Sequence, residues 1–286
     1  MSFRGLASGQ LYDFDVTQRR AEYATPPLSQ QDLDRNGVVP AKSLLKWMQA
    51  ARMELPWLQG GYGGLQQLHP TVPRRIFIAS QGLEFVKHGL LSNAQSKSVL
   101  TRVWLGKVGR TSMEFRYDIF FDSEKVAEAS SVAIVVSPAA ERFQPSPVPE
   151  DLRPLVTSSA RGADPAECLR SIPDLPSPAY RVKAVVRFSD EDINKHANHS
   201  AQALFFEDAK EEMAADASAP PPLRRLAAQE LRSLAIAYLA EAHAKDELTI
   251  CLEPRGSSLD VWVQRERPAP KLLAKGRMYL ASRSQL

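Results

Sequence analysis

Alternating apolar and polar residues predict a run of β-strands in the first half of the chain. Met113, Phe115, Tyr117 and Ile119, for example, alternate with polar residues, so that every second side chain falls on one face of a strand. Alternation predicts strands at 99–105 and 113–121, and apolar-rich stretches predict a short strand at 11–16 and longer ones at 76–86 and 126–136. Apolar residues at helical spacing predict a helix over roughly 41–55, and short turns between the later strands favour an antiparallel meander.

The second half restarts the same order of elements. A strand at 180–188 and a helix at 200–215 are followed by a proline-rich loop at 216–222 and by strands at 231–239, 248–252, 259–263 and 272–280. Leu259, Val261 and Val263 alternate with Asp260 and Gln264, which predicts a sheet with one buried face. Nine of the 21 prolines lie between residues 138 and 178, where they disfavour a sheet. We therefore predict a first domain at 1–140, a linker at 141–178 and a second domain at 179–286.

A short acidic motif occurs once in each half. Residues 32–36 and residues 190–194 both have the pattern D-x-D-x-N, and each copy lies just before a predicted helix that leads into a run of strands. Repeated order at long period predicts two copies of one fold. The motif alone is weak evidence, since turns and helix caps favour the same residue types.

The same pattern raises the alternative of a calcium loop of the EF-hand kind. Such a loop needs Gly at its sixth position and Glu at its twelfth. The first copy has Gly37 but Ser43 at these positions, and the second has Lys195 and Ala201. The sequence therefore argues against calcium, and no metal ligand set is predicted.

Overall composition bears on nucleic acid binding, on the compartment and on membrane insertion. The net charge of +3 with 24% charged residues gives no argument for nucleic acid binding. Two cysteines, Cys168 and Cys251, form no disulfide framework and favour an intracellular, reducing compartment, with cytoplasm or an organelle such as a plastid left open. No apolar run approaches the length of a membrane span.

The polar segment 189–199 is the best candidate for chemistry. Seven of its eleven residues are Asp, Glu, Asn or His, and it lies between a predicted strand and a predicted helix. The N-terminus of a helix offers unpaired N–H groups and the positive end of its dipole, where developing negative charge is stabilised. We therefore expect an acid–base site at this junction.

The segment resembles a known signature. Ser-Asp-Glu-Asp-Ile-Asn-Lys-His-Ala-Asn at 189–198 is similar to the D-x-D-x-N-x-H-x-N motif of plant-type acyl-ACP thioesterases, and 32–39, 45–52 and 109–117 resemble hotdog thioesterases as well. The resemblance covers roughly 10–140 and 178–282. It implies an α+β fold of two tandem hotdog domains, each an antiparallel β-sheet wrapped around a long central helix. The implied activity is hydrolysis of fatty acyl-ACP, or acyl-CoA, to free fatty acid and thiol, without a cofactor.

The resemblance also implies the catalytic residues, all in the second half. By position they are Asp192, Asn194, His196 and Glu241. The two carboxylates would orient or deprotonate a water, Asn194 would hold a carboxylate or the thioester, and His196 would assist the carbonyl or the leaving thiol. Ordinary alternatives stay open: the aspartates as caps, His196 as a passive loop residue and Glu241 as a surface acid.

The candidate substrate-binding residues come from both halves. Asn198 and His199 lie at the start of the helix after the motif, and Trp47 and Met48 are candidates for the lining of an acyl tunnel, with plain core packing as the alternative. The chain departs from the family pattern at His199, where a second Asn is usual, and at Ala242, where a Cys is usual. The first copy has Val38 instead of the histidine.

Two other functions remain open. One is a catalytically inactive hotdog protein used for acyl binding or assembly, and the other is a hotdog 3-hydroxyacyl dehydratase. The expected partner is an acyl carrier protein or a coenzyme A thioester. The sequence does not distinguish an acyl carrier protein from coenzyme A, and it does not give the acyl chain length. A homodimer of tandem hotdogs is left open.

Overall fold

The structure, a computed structural model, describes residues 2–7, 10–15, 20–25, 27–53, 55, 75–87, 98–139, 142–157, 165–173, 180–192, 194–267 and 269–282. The chain divides into two compact units. The first comprises 1–39, 44–79 and 89–162, and the second comprises 40–43, 80–88 and 163–286. Two short segments of the first half thus group with the second unit. The predicted domains at 1–140 and 179–286 stay a prediction.

The first unit is built on antiparallel strands. The strands of the first half are β1 Ser2–Ala7, β2 Gln10–Asp15, β3 Arg20–Thr25, β4 Arg75–Phe85, β5 Val99–Val108, β6 Ser112–Phe121, β7 Glu124–Ala139 and β8 Arg142–Pro145. Within the unit they pair in the order β1-β2-β3-β5-β6-β7-β8. Helix α1 spans Ala41–Met53. The predicted helix is therefore confirmed, and the meander is confirmed for β5, β6 and β7. Strand β4 pairs with β10 instead of β5, and β1, β3 and β8 were not predicted.

The second unit repeats a helix and an antiparallel sheet. Its elements are α2 Pro165–Arg170, β9 Tyr180–Val185, α3 His199–Ala215, α4 Pro221–Ala227, β10 Glu230–Tyr238, β11 Glu247–Arg255, β12 Ser258–Arg265 and β13 Lys271–Ala281. Strand β10 pairs with residues 80–84 of β4 on one side, and the order continues β10-β13-β12-β11-β9. The predicted loop at 216–222 is wrong from Pro221 onward, because proline is accommodated in the first turn of a helix.

The stretch predicted as a linker contains packed elements. Strand β8 pairs with β7 in the first unit. In the second unit, Leu169 and Ile172 are buried beside Trp262 and Cys251. The Trp262 indole N–H donates to the carbonyl of Pro173 at 2.8 Å. The expectation of a region without sheet is thus wrong at β8, and residues 165–173 form a layer on the second sheet.

This layer changes the burial of β12. Alternation predicted one buried face, but Asp260 and Trp262 are as fully buried as Leu259 and Val261. Segment 165–173 covers the face that carries Trp262, so both faces of β12 lie away from water. Asp260 meets its cross-strand neighbour Arg277, whose guanidinium donates two hydrogen bonds to the carboxylate, at 2.5 and 3.0 Å.

Helix α3 lies close against the sheet of the second unit. Gly276 on β13 makes this approach possible, since a Cβ there would lie 2.5 Å from the ring of Phe206 on α3 and would also strike the carbonyl of Ala235. Buried residues of α3 include Ala203, Phe206, Ala209 and Met213, and they anchor its length. The N-terminus of α3 is thereby held in place for the preceding loop. No helix in the described part of the chain is both long and apolar enough to cross a membrane.

Candidate active site

The loop from 187 to 198 is closed by its own hydrogen bonds. A single 3-10 turn, Phe188–Asp190, begins it. The buried carboxylate of Asp190 accepts from the Arg187 backbone N–H at 2.8 Å and from the Arg187 guanidinium at 3.2 Å. The Asp190 carbonyl accepts the N–H of Asn198 at 2.8 Å. Asp190 therefore holds the two ends of the loop together, which agrees with a structural rather than a chemical role.

Asp192 forms the tight turn at the centre of the loop. Its Oδ1 accepts the N–H of Asn194 at 2.7 Å, its own N–H donates to the carbonyl of His196 at 2.9 Å, and its carbonyl accepts from Lys195 at 2.9 Å. Lys195 adopts a left-handed conformation with φ of 61°. The turn leaves Oδ2 of Asp192 to face the ring of His196, with 3.6 Å between Oδ2 and Nε2.

The same turn occurs in the first half, where it lacks the histidine. Oδ1 of Asp34 accepts from the N–H groups of Asn36 at 2.8 Å and Val38 at 2.9 Å, and the Asp34 N–H donates to the Val38 carbonyl at 2.8 Å. Gly37 has φ of 73° where the second copy has Lys195. The two copies of the motif therefore form the same turn, and Val38 takes the position of His196.

Glu241 reaches this turn from the end of β10. The Ala197 N–H donates to the Ala242 carbonyl at 2.7 Å, and the Glu191 carboxylate accepts the Ala244 N–H at 2.7 Å. These bonds tie the 190–198 loop to the 240–246 loop. They bring Oε1 of Glu241 to 3.8 Å from Nδ1 of His196.

His196 therefore lies between two carboxylates. Its side chain is 22% exposed, that of Asp192 is 21% exposed and that of Glu241 is 55% exposed. Distances of 3.6 and 3.8 Å are longer than direct hydrogen bonds, as is common in catalytic groups before substrate binds. The arrangement can move a proton between an imidazole and a carboxylate while one side stays open to solvent.

The other predicted residues fall into three positions. The side-chain amide of Asn194 lies 3.4 Å from Oδ2 of Asp192, so it can support that carboxylate. Asn198 caps α3 by accepting the Ser200 N–H at 2.9 Å. Trp47 and Met48 are buried on α1, where Trp47 meets Phe121 edge to face at 6.1 Å. Their part in binding an acyl chain stays a prediction.

His199 is held by a residue that the sequence reasoning missed. Its ring meets Tyr238 edge to face at 6.2 Å, and its carbonyl accepts from the Tyr238 hydroxyl at 3.2 Å. The same hydroxyl lies 2.8 Å from Oε1 of Gln81, so its single proton is shared between these two acceptors. Tyr238 thus fixes the first turn of α3 to the sheet.

His243 is the second residue that sequence reasoning missed. Its Nδ1 lies 2.8 Å from the Lys195 carbonyl, and its Nε2 lies 3.9 Å from Oε2 of Glu241. Its position two residues after Glu241, in the loop that follows β10, was the available signal. Within the described residues, no three His, Cys, Asp or Glu side chains are placed to hold a metal ion.

Comparison with known proteins identifies the fold. No protein-family model and no curated protein matches the sequence. Among solved structures, the 12:0-ACP thioesterase from Umbellularia californica is similar over 94% of this chain and 99% of its own, with 13% identity and a TM-score of 0.72. An acyl-ACP thioesterase from Bacteroides thetaiotaomicron is similar over 93% and 99%, with 14% identity and a TM-score of 0.64.

A third solved structure gives the same result. A protein described as an oleoyl thioesterase from Lactobacillus plantarum is similar over 94% of this chain and 97% of its own, with 14% identity and a TM-score of 0.68. All three matches span nearly the whole of both chains. The chain therefore has the α+β fold of the acyl-ACP thioesterases of known structure.

Proposed function

We propose that this protein is a thioester hydrolase that converts fatty acyl-ACP, or acyl-CoA, to free fatty acid and thiol. The observation that carries the proposal is the position of His196 between the carboxylates of Asp192 and Glu241, beside the N-terminus of α3. The fold shared with acyl-ACP thioesterases over nearly the whole chain supports it. Within the proposal, each half is a hotdog whose sheet wraps around a long central helix, α1 or α3.

The proposed reaction uses water as the nucleophile. Glu241, the more exposed carboxylate, deprotonates a water molecule that attacks the thioester carbonyl. His196 donates a proton to the leaving thiolate, and Asp192 holds the ring and offsets its positive charge. Asn194 keeps the Asp192 carboxylate in place through its amide.

Charge on the carbonyl oxygen develops beside the start of α3. The positive end of the helix dipole lies there, and Asn198 and Tyr238 hold the first turn rigidly. A preorganised dipole stabilises an oxyanion without reorganisation during the reaction. We therefore propose that Asn198 and His199 border the position of the thioester, and that Trp47 and Met48 line the acyl chain's binding region.

Partner and compartment are part of the proposal. The substrate carrier is an acyl carrier protein or coenzyme A, and the compartment is intracellular and reducing. Both Cys168 and Cys251 are free thiols, in keeping with such a compartment. A homodimer of tandem hotdogs is the proposed assembly.

Thiol release from acyl thioesters tests the function. Purified protein is incubated with acyl-ACP and acyl-CoA of several chain lengths, and free thiol is measured for the wild type and for His196→Ala. We expect release by the wild type and a loss of at least about 100-fold in kcat for the variant, because general acid–base groups contribute that much. An inactive acyl-binding protein would release no thiol. A dehydratase would produce enoyl absorbance from a 3-hydroxyacyl substrate instead.

A further inference from the structure

His243 has a defined tautomer. Its Nδ1 lies 2.8 Å from the carbonyl oxygen of Lys195, and a carbonyl oxygen only accepts hydrogen bonds. Nδ1 must therefore carry a proton, and Nε2 is the ring nitrogen left to face another side chain. That atom faces Oε2 of Glu241 at 3.9 Å.

The two oxygens of Glu241 face two different histidines. Oε1 lies 3.8 Å from His196, and Oε2 lies 3.9 Å from His243. The Glu241 side chain is 55% exposed, so little core packing restricts it. An exposed glutamate samples several rotamers unless neighbouring side chains restrict them. The pair of imidazoles favours the one rotamer that directs the carboxylate toward His196.

One hydrogen bond of its backbone and one of its ring hold His243 in place. Its backbone N–H donates to Asp246 at 2.9 Å, and Asp246 in turn lies 3.5 Å from the Arg265 guanidinium on β12. On the other side, the left-handed backbone of Lys195 is part of the turn that presents its carbonyl to Nδ1. A left-handed conformation is unfavourable for a residue with a side chain, and Gly37 fills the same position in the first copy.

We infer that His243 is a positioning residue that holds the Glu241 carboxylate toward His196, an inference that rests on the proposed thioester hydrolysis. The ionisable groups around it are Glu241 and Asp246 on its own loop, His196 on the facing loop and Arg265 on β12. Nε2 of His243 faces Oε2 of Glu241 from the side opposite His196, so the carboxylate is held between the two rings.

Two substitutions separate this role from a purely structural one. His243→Asn keeps a side-chain N–H near the position of Nδ1, so the bond to Lys195 is retained, but it removes the atom that faces Glu241. His243→Gln instead keeps a side-chain N–H near the position of Nε2, where it faces Glu241, but loses the bond to Lys195. Lys245→Ala is the matched control on the same loop. It removes an ammonium that lies over the ring of Phe188, 5.5 Å from the centroid, and leaves His243 and Glu241 unchanged. Both lysine and alanine bear the same left-handed backbone strain at φ of 74°.

The experiment measures thiol release and thermal unfolding for the wild type and the variants. We expect His243→Asn to lower kcat about tenfold with little change in KM, because a misplaced reacting group slows the chemical step. We also expect it to alter the pH profile of kcat while its Tm stays within about 2 °C, roughly the effect of half a kcal/mol. Lys245→Ala should match the wild type in all three measurements.

A double substitution gives the decisive result. If His243 acts through Glu241, then His243→Asn has no further effect on kcat in a Glu241→Gln background. An equal tenfold loss in both backgrounds, or an unchanged kcat and pH profile for both His243 variants, would overturn the inference while leaving the hydrolase intact. Absence of thiol release by the wild type would overturn the proposed function, and this inference with it.

Discussion

Nε2 of His196 lies 3.6 Å from Oδ2 of Asp192, four residues before it in the chain. The other carboxylate oxygen of Asp192 is occupied by the Asn194 backbone N–H of the same turn. One side chain therefore builds the turn with one oxygen and faces the imidazole with the other. The corresponding turn in the first half has the same two backbone–backbone hydrogen bonds but carries Val38 in place of the histidine.

Because the two oxygens of Asp192 have different roles, Asp192→Asn should affect activity and stability differently. Asparagine keeps an oxygen for the Asn194 N–H, so the turn persists, but it replaces the anionic oxygen beside His196 with an amide. We expect kcat to fall about 100-fold, because the charge that supports the imidazole is lost. We expect the free energy of unfolding to change by less than about 1 kcal/mol. Steady-state thiol release and urea unfolding measure the two quantities.

Asp34→Asn is the matched control for this substitution. It alters the same turn in the first copy, where no histidine follows, so stability should change equally and kcat should not change. Equal losses of activity in both variants would show that the turn, rather than the charge beside His196, matters for the reaction.

Glu207 predicts a pH-dependent stability. It lies on α3 and its carboxylate accepts the N–H of Ala41 at 2.9 Å and of Lys42 at 3.3 Å, at the start of α1. Burial raises the pKa of this carboxyl from 4.5 to about 7, although the two N–H bonds oppose the change. The folded protein therefore binds a proton more tightly than the unfolded chain. The stabilisation is complete below pH 4.5 and is lost as pH rises through 7, by about 3 kcal/mol.

Glu207→Gln should remove this dependence. Glutamine still offers an oxygen to the start of α1 but does not titrate, so its unfolding free energy should fall less between pH 5 and pH 8 than that of the wild type. Urea unfolding at the two pH values measures the difference. Glu212→Gln, at an exposed position on the same helix, serves as control. A wild type and Glu207→Gln with parallel curves would contradict the prediction.

Gly276 predicts a strong steric effect. An added Cβ would strike the Ala235 carbonyl and the Phe206 ring, and a backbone carbonyl in a sheet has no rotamer to adopt. We expect Gly276→Ala to destabilise the protein by about 3 kcal/mol, as overpacking does. Gly256→Ala is the control: it has φ of 60° but open space around the added atom, so we expect about 1 kcal/mol. Denaturation midpoints that are equal for the two variants would refute the steric explanation.

Substitutions of Asp260 and Arg277 should have non-additive effects on the free energy of unfolding. Asp260 has no exposed surface, and its hydrogen bonds raise the pKa of the Arg277 guanidinium. Arg277→Met leaves the buried carboxylate with only the more distant Arg255 guanidinium, 3.6 Å from Oδ2, and should destabilise the protein by about 3 kcal/mol. The double variant with Asp260→Leu should be less destabilised than Arg277→Met alone, because no buried charge then remains. Unfolding by guanidinium chloride compares the single and double variants; simple addition of their effects would contradict the prediction.

Several elements of this protein could be predicted from the sequence because they depend on local interactions. The alternating strands, helix α3 and the two Asp-x-Asn turns each depend on residues within a few positions of one another. The positions of Asp192, Asn194 and His196 on one turn follow from those local hydrogen bonds. By contrast, the packed segment 165–173 was misread, because its prolines hide contacts that it makes with distant strands.

What the sequence by itself determined is therefore the repeat and the turn that carries His196. Glu241 was expected from the family resemblance, but only the tertiary structure shows its carboxylate between His196 and His243, because the bonds that bring it there join two loops far apart in the chain, such as Ala197 to Ala242. The tertiary structure also decided that Asp260 is buried, since a neighbouring segment covers a face that alternation alone leaves to solvent. A pattern of residue types records which side of a strand is apolar, but the partner that covers each side is chosen by the packing of the whole unit.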